Sequence, residues 1–151
     1  MNLTVLVDNN CRMDYNLLAE PALSILLENE YHKVLFDCGL NDTFIKNAVD
    51  RGYNGIVIEA MGRGNIPPKM YEGVKYAREN GVIVVITSRC ATGRVYDSYG
   101  YLGSGRDLKN IGCIFAGDLN GHKCRIKLML ALGKTNNLDE IKDYFEKGIY
   151  Y

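Results

Sequence analysis

The feature that most constrains this chain is a pair of short, almost wholly apolar segments. They are Gly55-Ile56-Val57-Ile58-Glu59-Ala60 and Val82-Ile83-Val84-Val85-Ile86-Thr87. A strand that alternates apolar and polar residues hides one face; one that is apolar at successive positions needs cover on both. Between the two segments, Pro67-Pro68 suits a first helical turn, where the missing N–H groups have no intrahelical partner anyway. Met70, Val74 and Ala77 then recur at helical spacing, and Gly81 closes the helix. Strand, helix, strand in this order predicts a parallel pair with a right-handed crossover.

The same alternation extends both ways. Lys33–Asp37 reads as a strand, followed by a helix capped by Asn41 or Asp42 and running to Arg51. Phe44, Ile45, Ala48 and Val49 share one face of that helix, and Gly52 ends it. After the second apolar segment, a Gly/Tyr-rich loop over 91–106 leads to a short helix near Leu108 and a last strand at Cys113–Ala116. Helices over Gly121–Leu132 and Leu138–Phe145 follow, the latter capped by Thr135 or Asn137. Ahead of Lys33, Leu3–Val7 and Leu23–Glu28 read as strands, and Asn29–His32 is short enough to turn an antiparallel hairpin. The expected fold is α/β: one domain over 1–151, with a mostly parallel Rossmann-like sheet and helices on both faces. One or two antiparallel N-terminal strands extend the sheet beside Lys33–Asp37.

Composition narrows the function classes. A chain of 151 residues fits one domain. Lys+Arg and Asp+Glu are both 18, so there is no basic field to hold nucleic acid. No apolar run approaches the ~20 residues of a membrane span, and the N-terminus lacks a signal-peptide pattern. The five cysteines, Cys11, Cys38, Cys90, Cys113 and Cys124, are odd in number and lack metal-knuckle spacing. They read as small buried hydrophobes in a cytoplasmic protein. The two histidines, His32 and His122, have no second His at i+2 or i+4; Asp8, Asp37 and Cys38 could meet at strand ends but fall short of a closed ligand set, and Asp8 and Asp37 read as turn caps. No metal and no cofactor is expected. Gly62-Arg63-Gly64 lies where phosphate loops sit, but it lacks a third glycine, and Pro67-Pro68 removes donors. From the residues alone, Gly62–Asn65 is a strand-to-helix turn, with glycines at positive φ and Asn65 capping the helix. The eleven tyrosines invite an interface.

Several segments resemble the C-terminal domain of bacterial-type L-asparaginases. Gly55-Ile56-Val57-Ile58-Glu59 followed by Gly62-Arg63-Gly64-Asn65 is similar to that family's Gly-Ile-Val-Leu-Glu strand and Gly-x-Gly-Asn loop. Ser88-Arg89-Cys90-Ala91-Thr92-Gly93-Arg94-Val95 resembles its Ser-Arg-Cys-x-x-Gly-x-Val segment. Gly103-Ser104-Gly105-Arg106-Asp107-Leu108, Ala116-Gly117-Asp118-Leu119 and Arg125–Leu132 match its later loop, closing strand and helix. The resemblance covers about 33–145. It implies that Asn65 contacts the substrate's amino group in a neighbouring protomer's site. The family's loop near Tyr96-Asp97 approaches that site too, but Asp97 receives no role.

The first forty residues resemble a different family. Val5-Leu6-Val7-Asp8-Asn9-Asn10, Ala22–Glu28 and Val34-Leu35-Phe36-Asp37-Cys38-Gly39 look like the opening strands of metallo-β-lactamase-fold hydrolases. The metal motif His-x-His-x-Asp-His that follows in that family is absent here. Together the two resemblances imply a chimera, engineered or recombined, with 1–40 of one origin and 41–151 of the other. The asparaginase family's Thr-Gly-Gly-Thr and Thr-Asp-Thr segments are also missing. The leading expectation is therefore a non-catalytic domain with no catalytic residue of its own. The alternative is an asparagine amidohydrolase component, active only with a catalytic N-terminal domain. Expected partners are a homo-oligomer or such a domain.

Overall fold

The computed structural model describes residues 2–7, 24–28, 30–36 and 42–147. Among them, six strands form one sheet in the order β1-β2-β3-β4-β5-β6: Asn2–Val7, Ser24–Glu28, Lys33–Phe36, Gly55–Ala60, Ile83–Ser88 and Ile114–Phe115. The first two pairings are antiparallel and the remaining three parallel. The change falls at β3, the first strand followed by a helix. A short turn returns the chain antiparallel, whereas a helical crossover returns it parallel. The β1–β2 register slips between Val5 and Val7.

Helices cover both faces. α1 (Thr43–Asp50), α2 (Pro68–Glu79) and α3 (Gly105–Asn110) lie N-terminal to β6, and α4 (Gly121–Leu132) and α5 (Leu138–Glu146) follow it. The doubly apolar strands divide their side chains between two cores. Ile56, Ile58, Val84 and Ile86 pack with Ile45, Ala48, Met70, Val74 and Leu108. Val57, Ile83 and Val85 pack with Cys124, Leu128, Leu132, Ile141 and Phe145. Burying one such side chain stabilises by about 1.5–3 kcal/mol, so these strands anchor both layers. α2 sits close enough to α1 that a Cβ on Gly73 would lie 3.0 Å from Asp42 Cα.

Helix starts follow local chemistry, with one correction. Asn137 Oδ1 accepts from the N–H groups of Asp139 and Glu140 at 2.8 and 3.2 Å, capping α5. Pro67 and Pro68 open α2. Asp42 occupies the α1 cap position but makes no side-chain cap bond; its carboxylate pairs with Lys46 Nζ at 2.5 Å instead. A charged donor one turn on outcompetes the backbone N–H. Asn41, the other expected cap, lies outside the described residues, as do Asp8, Cys11, Asp37 and Cys38.

Of the three described cysteines, Cys113 and Cys124 are buried as expected, and Cys90 is exposed. Burial pushes both inner thiols up to about 12. An unfolded thiol ionises near ~8.5, so the folded chain keeps protons that the unfolded chain releases above that pH. This stabilisation is complete below ~8.5 and is lost as pH rises towards about 12, by ~1.4 kcal/mol per pH unit per thiol. Urea midpoints at about pH 8 and about pH 10 should show a fall; an unchanged or higher midpoint at the upper pH contradicts it. A second prediction concerns Gly103, at φ +81°, where a Cβ would lie 2.5 Å from the Ile66 carbonyl oxygen. Gly103→Ala should cost about 1–3 kcal/mol in the same titration. Gly100→Ala, whose Cβ meets only Arg106 at 3.7 Å, should stay near wild type. Equal effects at the two positions would contradict the contact.

Candidate active-site loops

In an open parallel sheet the carboxyl ends of the strands are where loops converge to build a site. Here those loops are 61–66 after β4, 89–104 after β5 and 117–120 after β6. The first folds on itself. The Met61 N–H donates to the Asn65 carbonyl at 2.9 Å, while the Gly64 and Asn65 N–H groups donate back to Met61 O at 3.1 and 3.0 Å. Gly62 and Gly64 supply the positive φ this needs, at +53° and +110°. A Cβ on Gly64 would also press on Val95 at 3.4 Å. The Gly64 and Asn65 N–H groups are thus spent inside the turn and the Ile66 N–H on Gly103 O, which removes three of the donors a phosphate loop would offer.

Asn65 departs from the cap expected of it. The α2 cap position is Pro67, which no side chain caps. Asn65 Oδ1 is instead buried, with no hydrogen-bond partner. A buried amide oxygen without a donor costs about 1–3 kcal/mol.

The other loops brace this turn. Ser88 Oγ donates to Gly62 O at 2.6 Å and accepts from the Cys90 N–H at 3.1 Å. The Tyr96 N–H donates to Arg63 O at 2.8 Å, and the Arg89 N–H to Ala60 O at 3.0 Å. Ser104 Oγ donates to Tyr99 O and accepts from the Asp107 N–H, at 2.8 and 3.4 Å, tying the loop to the start of α3. Beneath them, the Glu59 carboxylate lies against the first turn of α4. A Cβ on Gly121 would run into Glu59 Oε1, so a larger residue there would have to displace the Glu59 side chain. An acidic group at a helix N-terminus also complements the helix dipole.

Asp97 is committed elsewhere: its carboxylate accepts from Lys109 Nζ at 3.0 Å, and that bond lowers its pKa. Thr87, buried in β5, donates its hydroxyl to Leu119 O. Among the described residues no three His, Cys, Asp or Glu side chains gather as a metal site. His32 and His122 lie at separate places, in the β2–β3 turn and the first turn of α4. Nothing in the sequence pattern anticipates the open valence at Asn65 Oδ1 or the Ser88 bridge. The Ser88–Gly62 bond joins residues 26 positions apart, and only the glycine pair hints at a constrained turn.

A profile of the Glutaminase/Asparaginase C-terminal domain matches residues 36–145. An L-asparaginase from Bacillus licheniformis is 41% identical over 102 residues, covering 68% of this chain and 31% of that protein. A glutamyl-tRNA(Gln) amidotransferase component from Methanococcus maripaludis is 32% identical over 136 residues, 90% of this chain and 32% of that one. Among solved structures, a probable cytoplasmic L-asparaginase from Campylobacter jejuni superposes with a TM-score of 0.62 at 32% identity. The match covers 74% of this chain and 35% of that one. This chain thus spans about a third of the length of these relatives. With the fold, the Gly-x-Gly-Asn turn and the family profile in agreement over most of its length, the chain belongs to the glutaminase/asparaginase C-terminal domain family.

Proposed function

We propose that this chain is a non-catalytic domain of asparaginase C-terminal type that, through Asn65, completes an amino-acid amide site whose reacting groups another chain provides. The observation that carries the reading is the buried, unpartnered Oδ1 of Asn65. It faces a need for a donor that the domain itself does not meet, and an α-ammonium group meets it with a charge-assisted hydrogen bond.

The chemistry of amide hydrolysis supports the division of labour. An activated hydroxyl needs a base within hydrogen-bond reach and donors for the developing oxyanion. The five threonines, Thr4, Thr43, Thr87, Thr92 and Thr135, are spread along the chain without a Thr-Gly-Gly context. Thr87 spends its hydroxyl on a backbone carbonyl. An oxyanion donor alone is worth about 2.7–4 kcal/mol, and one amide oxygen on the substrate's amino group does not replace it. A second reading, an amidohydrolase component that works only in a complex, follows from the same oxygen and differs only in whether such a complex turns over.

The mixed origin of the chain, with 1–40 from a metallo-β-lactamase-like protein and 41–151 of asparaginase type, is part of the proposal. What supports it is the motif order in 1–40 and the change from antiparallel to parallel pairing at β3. The 136-residue match to the Methanococcus relative weighs the other way, since a match of that length in a chain of 151 reaches well into the first forty residues. A cytoplasmic location also belongs to the proposal. Among the described residues, no helix is long and apolar enough to cross a membrane.

Ammonia release from asparagine tests the function. The pure chain should give none. Mixed with the isolated N-terminal portion of the Bacillus licheniformis relative, it should bind, and any turnover should be lost in Asn65→Ala. Turnover by the pure chain that vanishes in Asn65→Ala would overturn the non-catalytic reading. Turnover in the mixture alone would establish the second one.

A further inference from the structure

Helix α4 carries apolar side chains on two sides. Cys124, Leu128, Ala131 and Leu132 are buried and pack with Val57 and Val85 of the sheet. Ile126 and Leu130, one turn apart, stand outside that core and are 53% and 68% exposed. A helix lying on a sheet normally turns polar residues outward, and one that is apolar on both sides needs cover on both. Leu130 does not stand alone. With Met129, and with the half-exposed Tyr144 of α5, it lines an open groove of about 620 Å³. Contiguous apolar surface, unlike a single exposed residue, marks a contact.

Charge around the groove is divided end from end. Lys123 and Lys127 stand on the first two turns of α4. Asp139 and Glu140 stand in the first turn of α5, which follows the other end of α4 through the 133–137 connection. None of these four side chains is in an ion pair among the described residues. Lys134 also lies at the acidic end, its Nζ 5.8 Å from the Tyr144 ring centroid. Two carboxylates against one ammonium still leave that end negative. The two ends therefore differ in sign, with Leu130 between them.

A surface of this kind complements itself. A two-fold axis through its middle turns one copy end for end, so that the basic end of each meets the acidic end of the other. We propose that the α4–α5 face docks a second copy of this chain about a two-fold axis near Leu130, each copy's Leu130 entering the groove of the other. An anionic membrane fits less well, because Asp139 and Glu140 would face it along with the lysines. The groove includes neither Asn65 nor the rest of the 61–66 loop, so the inference stands apart from the proposed function.

Sedimentation velocity of the full chain tests it over about 1–300 μM, where a monomer–dimer equilibrium with a Kd on the order of 10 μM is expected. Leu130→Asp should raise the Kd at least about thirtyfold. The side chain is exposed, and far-UV circular dichroism checks that the variant stays folded. Asn65→Ala should keep the wild-type Kd. Lys123→Glu with Lys127→Glu makes both ends acidic, and Asp139→Lys with Glu140→Lys makes both basic. Each double variant alone should dimerise at least about tenfold more weakly, and their equimolar mixture should associate at least as tightly as wild type. A monomer throughout the range would overturn the inference, even one that binds the N-terminal portion of the Bacillus licheniformis relative through Leu130. So would a dimer that survives Leu130→Asp, a dimer that Asn65→Ala dissociates, or a mixture that stays monomeric.

Discussion

The pairing of β4 with β5 sets the rest of the structure. Their register runs unbroken from Gly55 opposite Ile83 to Ala60 opposite Ser88. Both strands are apolar at successive positions, so each contributes to the core beneath α1 and α2 and to the core beneath α4 and α5. Parallel pairing also brings their carboxyl ends to one edge. Met61 and Arg89 therefore start their loops side by side, and the Arg89 N–H reaches Ala60 O. A one-residue slip would move every side chain of the strand to the opposite face and separate these loops.

From that edge outward, function follows from where backbone donors go. Within the Gly62–Asn65 turn the Gly64 and Asn65 N–H groups are spent on Met61 O. Asn65 Oδ1 is held in a buried position without a donor, and Arg63 is laid on the Tyr96 ring. Rigid support matters for Asn65, because a site held loosely loses the advantage of prior positioning. Gly103 against the Ile66 carbonyl is the close backbone approach that ties the end of this turn to the loop before α3.

Much of this fold is legible in the sequence because local and tertiary preferences agree. Pro67-Pro68, Gly81 and Asn137 mark helix boundaries through chemistry confined to a few neighbouring residues, and the helices Gly121–Leu132 and Leu138–Glu146 appear where the spacing puts them. Asp42 shows where local reasoning fails. It stands at the right position for a cap, yet Lys46, one turn later, takes its carboxylate. Cys90 is exposed because it follows the strand end, whereas Cys113 and Cys124 sit under the sheet. The site is less legible than the fold. The Asn65 turn is visible as a glycine pattern, but its unpartnered oxygen is a property of what surrounds it. The sharing of Tyr96 by Arg63 and Arg94 joins residues more than thirty positions apart, and no spacing rule reports it.

The role proposed for Asn65 is to present an amide oxygen that awaits a donor from a bound amino acid in a partner's site. The side-chain amide resonances of Asn65 test it most directly, followed while the isolated N-terminal portion of the Bacillus licheniformis relative and L-aspartate are added together. Shifts centred on Asn65 and residues 62–66 are predicted, requiring both additions and absent in Asn65→Ala. Shifts confined to the outer face of α4 and α5, with Asn65 unmoved, would contradict it.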